Sequence, residues 1–460
     1  MDSPPSKTDY ATRQPAPQDS GKAPNSSQRV MASIQNDDER LLARIGYNQE
    51  LRREFNKWST VSYAISILGV LGSVPATFGS PITAGGPATA VWAWFIGSVM
   101  AMCIASSVAE LVSAYPTAGG MYFVTKHVVP PEHVAIWAWV IGWCNFLGQA
   151  AGVASLAYTI SQMIFAAAVM NSSTLEDGSS AFTPTALQTV LLAILILCLF
   201  GTICSLTTRA LHKIILWFAP INRWMLTVTF CFCLNDYDGI VNSPTGLPVA
   251  QIFLNAGGRT GGTIMWFFVI LVQFFTGCSA MLANARMCYA FARDDALPFS
   301  SFWSKINKYT GTPVNAVWLV VVFCSCLDLI GIGSTLTIVA IFNICAPALD
   351  LSYVAVIIAH RVYENRVRFI PGPYTMGIWS KPVNLIACSW VVFISVILFF
   401  PTTKPVTPTN MNYAICVAGF VGLFSLGWWW IGARKKYTGP RTKDIIDMLP
   451  TDDPDDMNYP

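Results

Sequence analysis

Residues Trp58 to Ala109, WSTVSYAISILGVLGSVPATFGSPITAGGPATAVWAWFIGSVMAMCIASSVA, run for 52 positions without one Asp, Glu, Lys or Arg. A membrane-crossing helix needs about 20 apolar residues, so this run holds two, with the turn at Ser80-Pro-Ile-Thr-Ala-Gly-Gly-Pro87. Working outward, apolar runs place spans near 59–82, 88–112, 134–168, 183–206, 211–234, 261–285, 313–332, 335–359, 383–402 and 413–432, ten in all. The whole chain agrees: 53% of its 460 residues are hydrophobic and 12% charged, against about 25% charged in soluble domains. A large cytosolic enzyme, a nucleic-acid binder and a disordered scaffold are excluded. The expectation is an all-α polytopic membrane protein with the lipid bilayer as its surroundings.

Residues 1–58 are polar and rich in Pro and Ser, without a cleavable signal sequence, and read as a disordered cytoplasmic tail. The 59–432 region is the membrane domain, and 433–460 reads as a second cytoplasmic tail. Orientation follows from the basic residues. With the N-terminus inside, 25 of the 28 Lys/Arg fall in cytoplasmic segments, while Arg259 and Lys404 lie outside and Arg223 lies within a span. Asn171-Ser-Ser173 is a glycosylation sequon that this topology places outside. The 13 cysteines all sit in apolar stretches and read as small packing residues. No metal or cofactor is expected, and no nucleophile elbow, Walker or zinc-hydrolase motif suggests an enzyme.

Several residues carry possible chemistry. The first span contains Gly69-Val-Leu-Gly72-Ser73-Val74-Pro75. Gly and Pro there free backbone groups, as in broken transporter helices whose half-helix ends face an anionic substrate; a kink packed by small residues is the competing reading. Glu110 precedes Ala-Tyr-Pro116-Thr-Ala-Gly-Gly120 and is either a gate or proton relay at the cytoplasmic mouth or an ordinary helix end. Asp350, inside a span with Asn343 nearby, is a gate or proton relay, or a structural hydrogen-bond partner. Asp328, near the outer end of its span, is expected in water, and His360 at the interface. Asn145 and Gln149, with the stripe Gln273-Phe274-Phe-Thr276-Gly277, line a substrate cavity or act as helix-packing glue.

The stretch Ala114-Tyr-Pro-Thr-Ala-Gly-Gly-Met-Tyr-Phe123 resembles the signature of the amino acid–polyamine–organocation superfamily, and within it the fungal amino acid/choline branch of GABA-permease-like proteins. Cys204-Ser-Leu-Thr-Thr-Arg209, Leu216-Trp-Phe-Ala-Pro-Ile-Asn222, Tyr289-Ala-Phe-Ala-Arg-Asp-Asp295-Ala-Leu-Pro298 and Phe369-Ile-Pro-Gly-Pro-Tyr-Thr-Met-Gly377 resemble further stretches of that family. The resemblance covers most of 37–445. It implies a twelve-span fold of two inverted five-helix repeats (5+5), with spans 1 and 6 broken around the substrate. It also implies that Gly72, Ser73 and Val74 hold the substrate carboxylate through backbone amides.

One departure stands out. After Asn222 the chain runs directly into Arg223-Trp-Met-Leu and on to Asp236-Tyr-Asp-Gly, which resembles the end of span 7. The rest of span 5, span 6 and the first half of span 7 are missing, so ten spans stand for twelve. Arg223 thereby falls in the middle of the 211–234 span, where an Arg costs roughly 2.5–3.5 kcal/mol. The resemblance implies a carrier for amino acids or related amines such as GABA or choline, proton-coupled and working by alternating access. The plasma membrane is the expected site, with the vacuolar membrane as alternative. The alternative function is a non-transporting truncated isoform or gene-model fragment of such a permease, with a regulatory role.

Overall fold

A computed structural model describes residues 64, 73, 79–117, 119–172, 181–206, 245–333, 338, 342–367, 369–400 and 412–441. The expected spans 59–82 and 211–234 fall almost wholly outside these residues. So do both tails up to residue 63 and from residue 442, and so do Gly72, Val74 and Arg223. The described residues form α1 (Gly79–Ala114), α2 (Gly120–Val128), α3 (Pro131–Asn171), α4 (Ala186–Ser205) and α5 (Pro248–Arg293). The short α6 (Ser300–Trp303), α7 (Val314–Leu329), α8 (Cys345–Val362), α9 (Ser380–Leu398) and α10 (Ala414–Trp428) follow. Eight stretches among them are long and apolar enough to cross a membrane.

The sequence sets the breaks. α1 leaves helical geometry at Gly85 and Gly86, the latter at φ 73°; this is the turn expected between the first two spans. Gly258, at φ 64°, separates a short helix after Pro248 from the long one running to Arg293. Only glycine enters that region without strain. α3 and α5 begin on prolines whose missing N–H groups cost nothing in a first turn. α4 opens on a capping box: Gln188 N donates to Thr185 Oγ1 (3.3 Å) and Thr185 N to Gln188 Oε1 (2.9 Å). The expected span 335–359 differs: Asn343 and Ile344 form a turn and α8 begins at Cys345. Pro347 offers no N–H to the carbonyl four residues back, so the helix is interrupted there.

α3, α4, α5 and α7 pack as one scaffold, and α1, α2, α8 and α9 form a second group joined to it mainly through α3 and α8. Small residues allow the close approaches. A Cβ on Gly148 would lie 2.7 Å from the Leu349 backbone nitrogen, and one on Gly277 would lie 2.2 Å from the Phe200 ring. The core is aromatic where α3 meets α5, around Trp139, Trp143 and Phe291. At one end of the bundle lie α2, the starts of α3, α7 and α9, and the last turns of α1, α4, α5 and α8. The other end carries Asn171, Pro248 and Asp328.

Candidate functional site

Buried polar groups mark where an apolar bundle does more than pack, because each needs a partner. Among the described residues, four such places join separate helices by buried or part-buried side-chain-to-side-chain hydrogen bonds.

The first joins the first span to α5. Ser73 Oγ donates to Gln273 Oε1 at 3.4 Å, across 200 residues of sequence. Gln273 is buried at the middle of α5, so the stripe touches Ser73 at its first residue. Its other members are engaged elsewhere. Phe274 packs on Phe200 of α4 (centroids 5.1 Å apart), and Thr276 Oγ1 donates to the Val272 carbonyl of its own helix (3.0 Å).

The second joins α3 to α8. Asn145 Nδ2 donates to Ser352 Oγ (3.1 Å), and Gln149 Nε2 donates to Asn145 Oδ1 (2.6 Å). Gln149 Oε1 is buried without a partner. Ser352 escaped the sequence reading, although Cys345, Leu349 and Ser352 share the helix spacing of one face. Asp350 lies on a different face of α8, half-buried. The structure therefore brings Asn145 and Gln149 together and keeps Asp350 off the α3 contact.

Glu110 is the third. It is 9% exposed and accepts three hydrogen bonds from the 369–380 stretch: Thr375 Oγ1 (3.1 Å), Met376 N (3.2 Å) and Ser380 Oγ (2.6 Å). Arg361 of α8 donates to the same Ser380 hydroxyl, so a cation stands one hydrogen bond away. Asn384 completes the cluster: its amide oxygen accepts from Arg361 Nη2 (2.8 Å) and Nε (3.0 Å), and its nitrogen donates to Ser107 Oγ (2.7 Å). A Cβ on Gly372 would strike the Ser113–Ala114 backbone at 2.4 Å, which is why the Pro-Gly-Pro-Tyr stretch can press on the end of α1. Outside the cluster, Lys381 holds Glu364 at 3.2 Å and its hydrogen bond lowers the Glu364 carboxyl below its ordinary value.

The fourth lies at the same end of the bundle. Asp294, fully buried, accepts from Tyr122 Oη (3.0 Å) and pairs with Arg293 Nε (3.2 Å). Tyr437 Oη donates to Tyr122 Oη (3.0 Å). Burial raises the Asp294 carboxyl, against the pull of Arg293, and burial likewise pushes both tyrosine hydroxyls up. Asp295, at φ 63°, takes the left-handed position that closes α5. Its N–H reaches the Ala292 carbonyl and Ala296 N–H reaches Phe291, the double bond of a Schellman ending.

One expectation is revised, and one residue gains partners. Asp328 is not in water: it is 0% exposed, because the face of α7 that carries it turns inward rather than outward. Asn171, the sequon residue, is the last of α3, and its Nδ2 donates to the Ala167 carbonyl (2.9 Å) and Thr263 Oγ1 (3.0 Å).

A bundle with eight apolar helices among the described residues and buried polar joints defines an integral, all-α membrane protein. Comparison of the sequence narrows this: the profile of the amino acid permease family matches residues 55–222 and 221–422. An uncharacterised amino-acid permease of Schizosaccharomyces pombe is 38% identical over 502 aligned positions, covering 90% of this chain and 91% of its own length. Amino-acid permease 2 of Neurospora crassa is 32% identical over 96% of both chains, and amino-acid permease BAT1 of Arabidopsis thaliana 28% over 87% of this chain and 95% of its own. The chain belongs to the amino acid permease family, within the amino acid–polyamine–organocation superfamily. The two pieces of the match meet at 221–222, the junction singled out in the sequence.

Proposed function

We propose that this chain carries amino acids or related amines of the GABA or choline type across the membrane, coupled to protons, by alternating access. The substrate carboxylate is held by the backbone amides of Gly72, Ser73 and Val74. The observation that supports the reading is the Ser73–Gln273 hydrogen bond, which sets Ser73 against the scaffold helix α5. Asn145 and Gln149 supply amides toward the same interior, and Phe274 and Thr276 shape the wall beside Gln273. Glu110 works as a clamp at the cytoplasmic end, joining α1 to α9 and closing that mouth when its three donors are in place. Asp350 serves as a proton relay on a face of α8 turned away from α3. Both termini are cytoplasmic, Asn171 is an outside residue open to glycosylation during synthesis, and the plasma membrane is the site.

Uptake of labelled amino acids, GABA and choline in a permease-deficient fungal host tests this. Uptake no greater than vector alone, with the protein present in the membrane, refutes it.

A second reading is favoured by one observation. Between Leu206, at the α2 end, and Thr245, at the opposite end, stand 38 residues. At 1.5 Å per helical residue these suffice for one crossing, where a twelve-span relative would make three. The alignment with the S. pombe permease agrees: 90% of 460 residues is about 414, so about 88 of its 502 positions find no residue here. On this reading the chain lacks half of the substrate site and is a non-transporting form that acts on a full-length carrier. Transport-dead protein that co-purifies with such a carrier supports it.

A further inference from the structure

Asp328 closes α7 inside the protein with 0% exposure, and neither carboxylate oxygen has a hydrogen-bond partner among the described residues. α4 and α7 contain no Lys or Arg, and neither does α3. The arginines of α5 face other groups: Arg259 donates to the carbonyls of Met170 and Ser172, Arg293 pairs with Asp294, and Arg286 bears on Cys204. The titratable groups that do bear on Asp328 are Tyr158 of α3 and Cys324, one turn earlier on α7. The buried apolar side chains packed with Tyr158 are Val190 and Ala193 of α4, and Ile338. The Ile330–Ile332 turn that follows Asp328 presses on the same group, since a Cβ on Gly331 would lie 2.7 Å from Ile338 Cδ1.

An ionised carboxylate in such a place has neither counter-charge nor donor among the described residues, and burial of one uncompensated is expensive. Carboxylates kept inside spans by default have work to do. We propose that Asp328 is a proton-binding site. It holds one proton in the conformation described here and releases it to water when the contact between the 330–332 turn and Ile338 loosens. The site goes from charge −1 to 0 on uptake; the proton comes from water and returns to water, and no other group changes. As the coupling site of a carrier, Asp328 rests on the transport reading. Its protonation when buried does not.

The test has two arms on the full chain in proteoliposomes. Dicyclohexylcarbodiimide adds to protonated carboxyls in apolar surroundings, so the Asp328 peptide should gain the adduct, rising at least about tenfold as pH falls across the titration. Asp328→Asn should lose it. No adduct on that peptide at any pH, with other carboxyls labelled, overturns the proposal. In the second arm, Asp328→Asn should keep substrate counterflow and lose accumulation driven by a proton gradient. Full accumulation in the variant overturns the proposal. Loss of counterflow as well also overturns it, by making Asp328 a site for the substrate's own cation. Wild-type chain that moves no substrate defeats the transport reading alone, and the labelling arm still decides the proton site.

Discussion

Tyr437 offers the sharpest perturbation, because one residue past a membrane span it is plugged into the bundle. Its ring is 2% exposed, with the Trp139 centroid at 5.2 Å, Trp429 at 6.3 Å and Phe291 at 6.4 Å. Its hydroxyl donates to Tyr122, which in turn donates to Asp294. The two contributions separate by substitution. Tyr437→Phe removes only the hydroxyl, worth about 1 kcal/mol, and leaves Tyr122 with its acceptor. Tyr437→Ala empties the aromatic box as well, at roughly 3–5 kcal/mol. The segment lies near the end of the described chain, so its undocking needs no global unfolding, and the loss is read locally. The amide of Tyr437, bonded to the Ala433 carbonyl at 2.7 Å, reports it. Each 1.4 kcal/mol is a factor of ten, so hydrogen exchange by mass spectrometry over 434–441 should quicken about fivefold in the Phe variant. In the Ala variant it should quicken by two to three orders of magnitude. The 120–128 helix should follow in the Ala variant, through loss of cover on Tyr122. Exchange in Tyr437→Ala within about twofold of wild type would refute the packing argument.

Three further outcomes are expected. Glu110→Ala should speed exchange at the Met376 amide and release the 369–380 stretch, with a loss of at least about 1.5–3 kcal/mol, the worth of one hydrogen bond to a charged group; unchanged exchange there would mean that the loop holds itself. His127, whose ring stacks on Tyr115 at 4.1 Å, is held down to about 4 by burial and by Lys126. Its folded value lies below its ordinary 6.5, so the folded state loses stability as pH falls from 6.5 toward 4 and loses no more from this group below that. His127→Phe should flatten that part of the melting-against-pH curve in detergent, and an identical curve would assign the acid sensitivity elsewhere. Gly72→Leu should abolish substrate binding while leaving membrane insertion intact, by blocking approach to the backbone amides; unaltered affinity would make Gly72–Pro75 a packing kink.

What the sequence made legible follows from what each signal measures. Charge-free runs measure the length of chain that lipid tolerates, and so the expected 88–112, 134–168 and 183–206 appear as α1, α3 and α4 within a few residues, apart from the short helix before Gly86. The same runs are silent on facing. Asp328 was read by its distance along the span, yet its burial depends on which side of α7 meets α3 and α4. The interruption at Asn343–Ile344 was legible in Pro347, and the unbroken apolar run masked it. Tyr437 sits beyond Arg434-Lys-Lys, where polarity suggests a tail. No periodicity announces one aromatic ring docking into a box built from α2, α3, α5 and the turn after α10. Gln149 and Asn145 were legible as a pair because four residues bring them to one helix face, while their partner Ser352, more than 200 residues away, was not.

Of the stretches that reveal the family, those among the described residues cluster at one end of the bundle. Tyr115 stacks on His127, and Tyr122 bonds Asp294. The Asp294–Asp295 pair terminates α5, and the Pro-Gly-Pro-Tyr stretch seats on Glu110 and the last turn of α1. In each case the recognisable residues fix how one helix end meets another: a hydroxyl on a carboxylate, a glycine under a backbone, a left-handed Asp ending a helix. Such joints tolerate few substitutes for reasons of geometry, whatever passes through the interior. Ser73 and Gln273, which do meet in the interior, belong to no stretch longer than a few residues. The sequence therefore identifies the architecture through its rim, and the substrate has to be read from uptake by the chain itself.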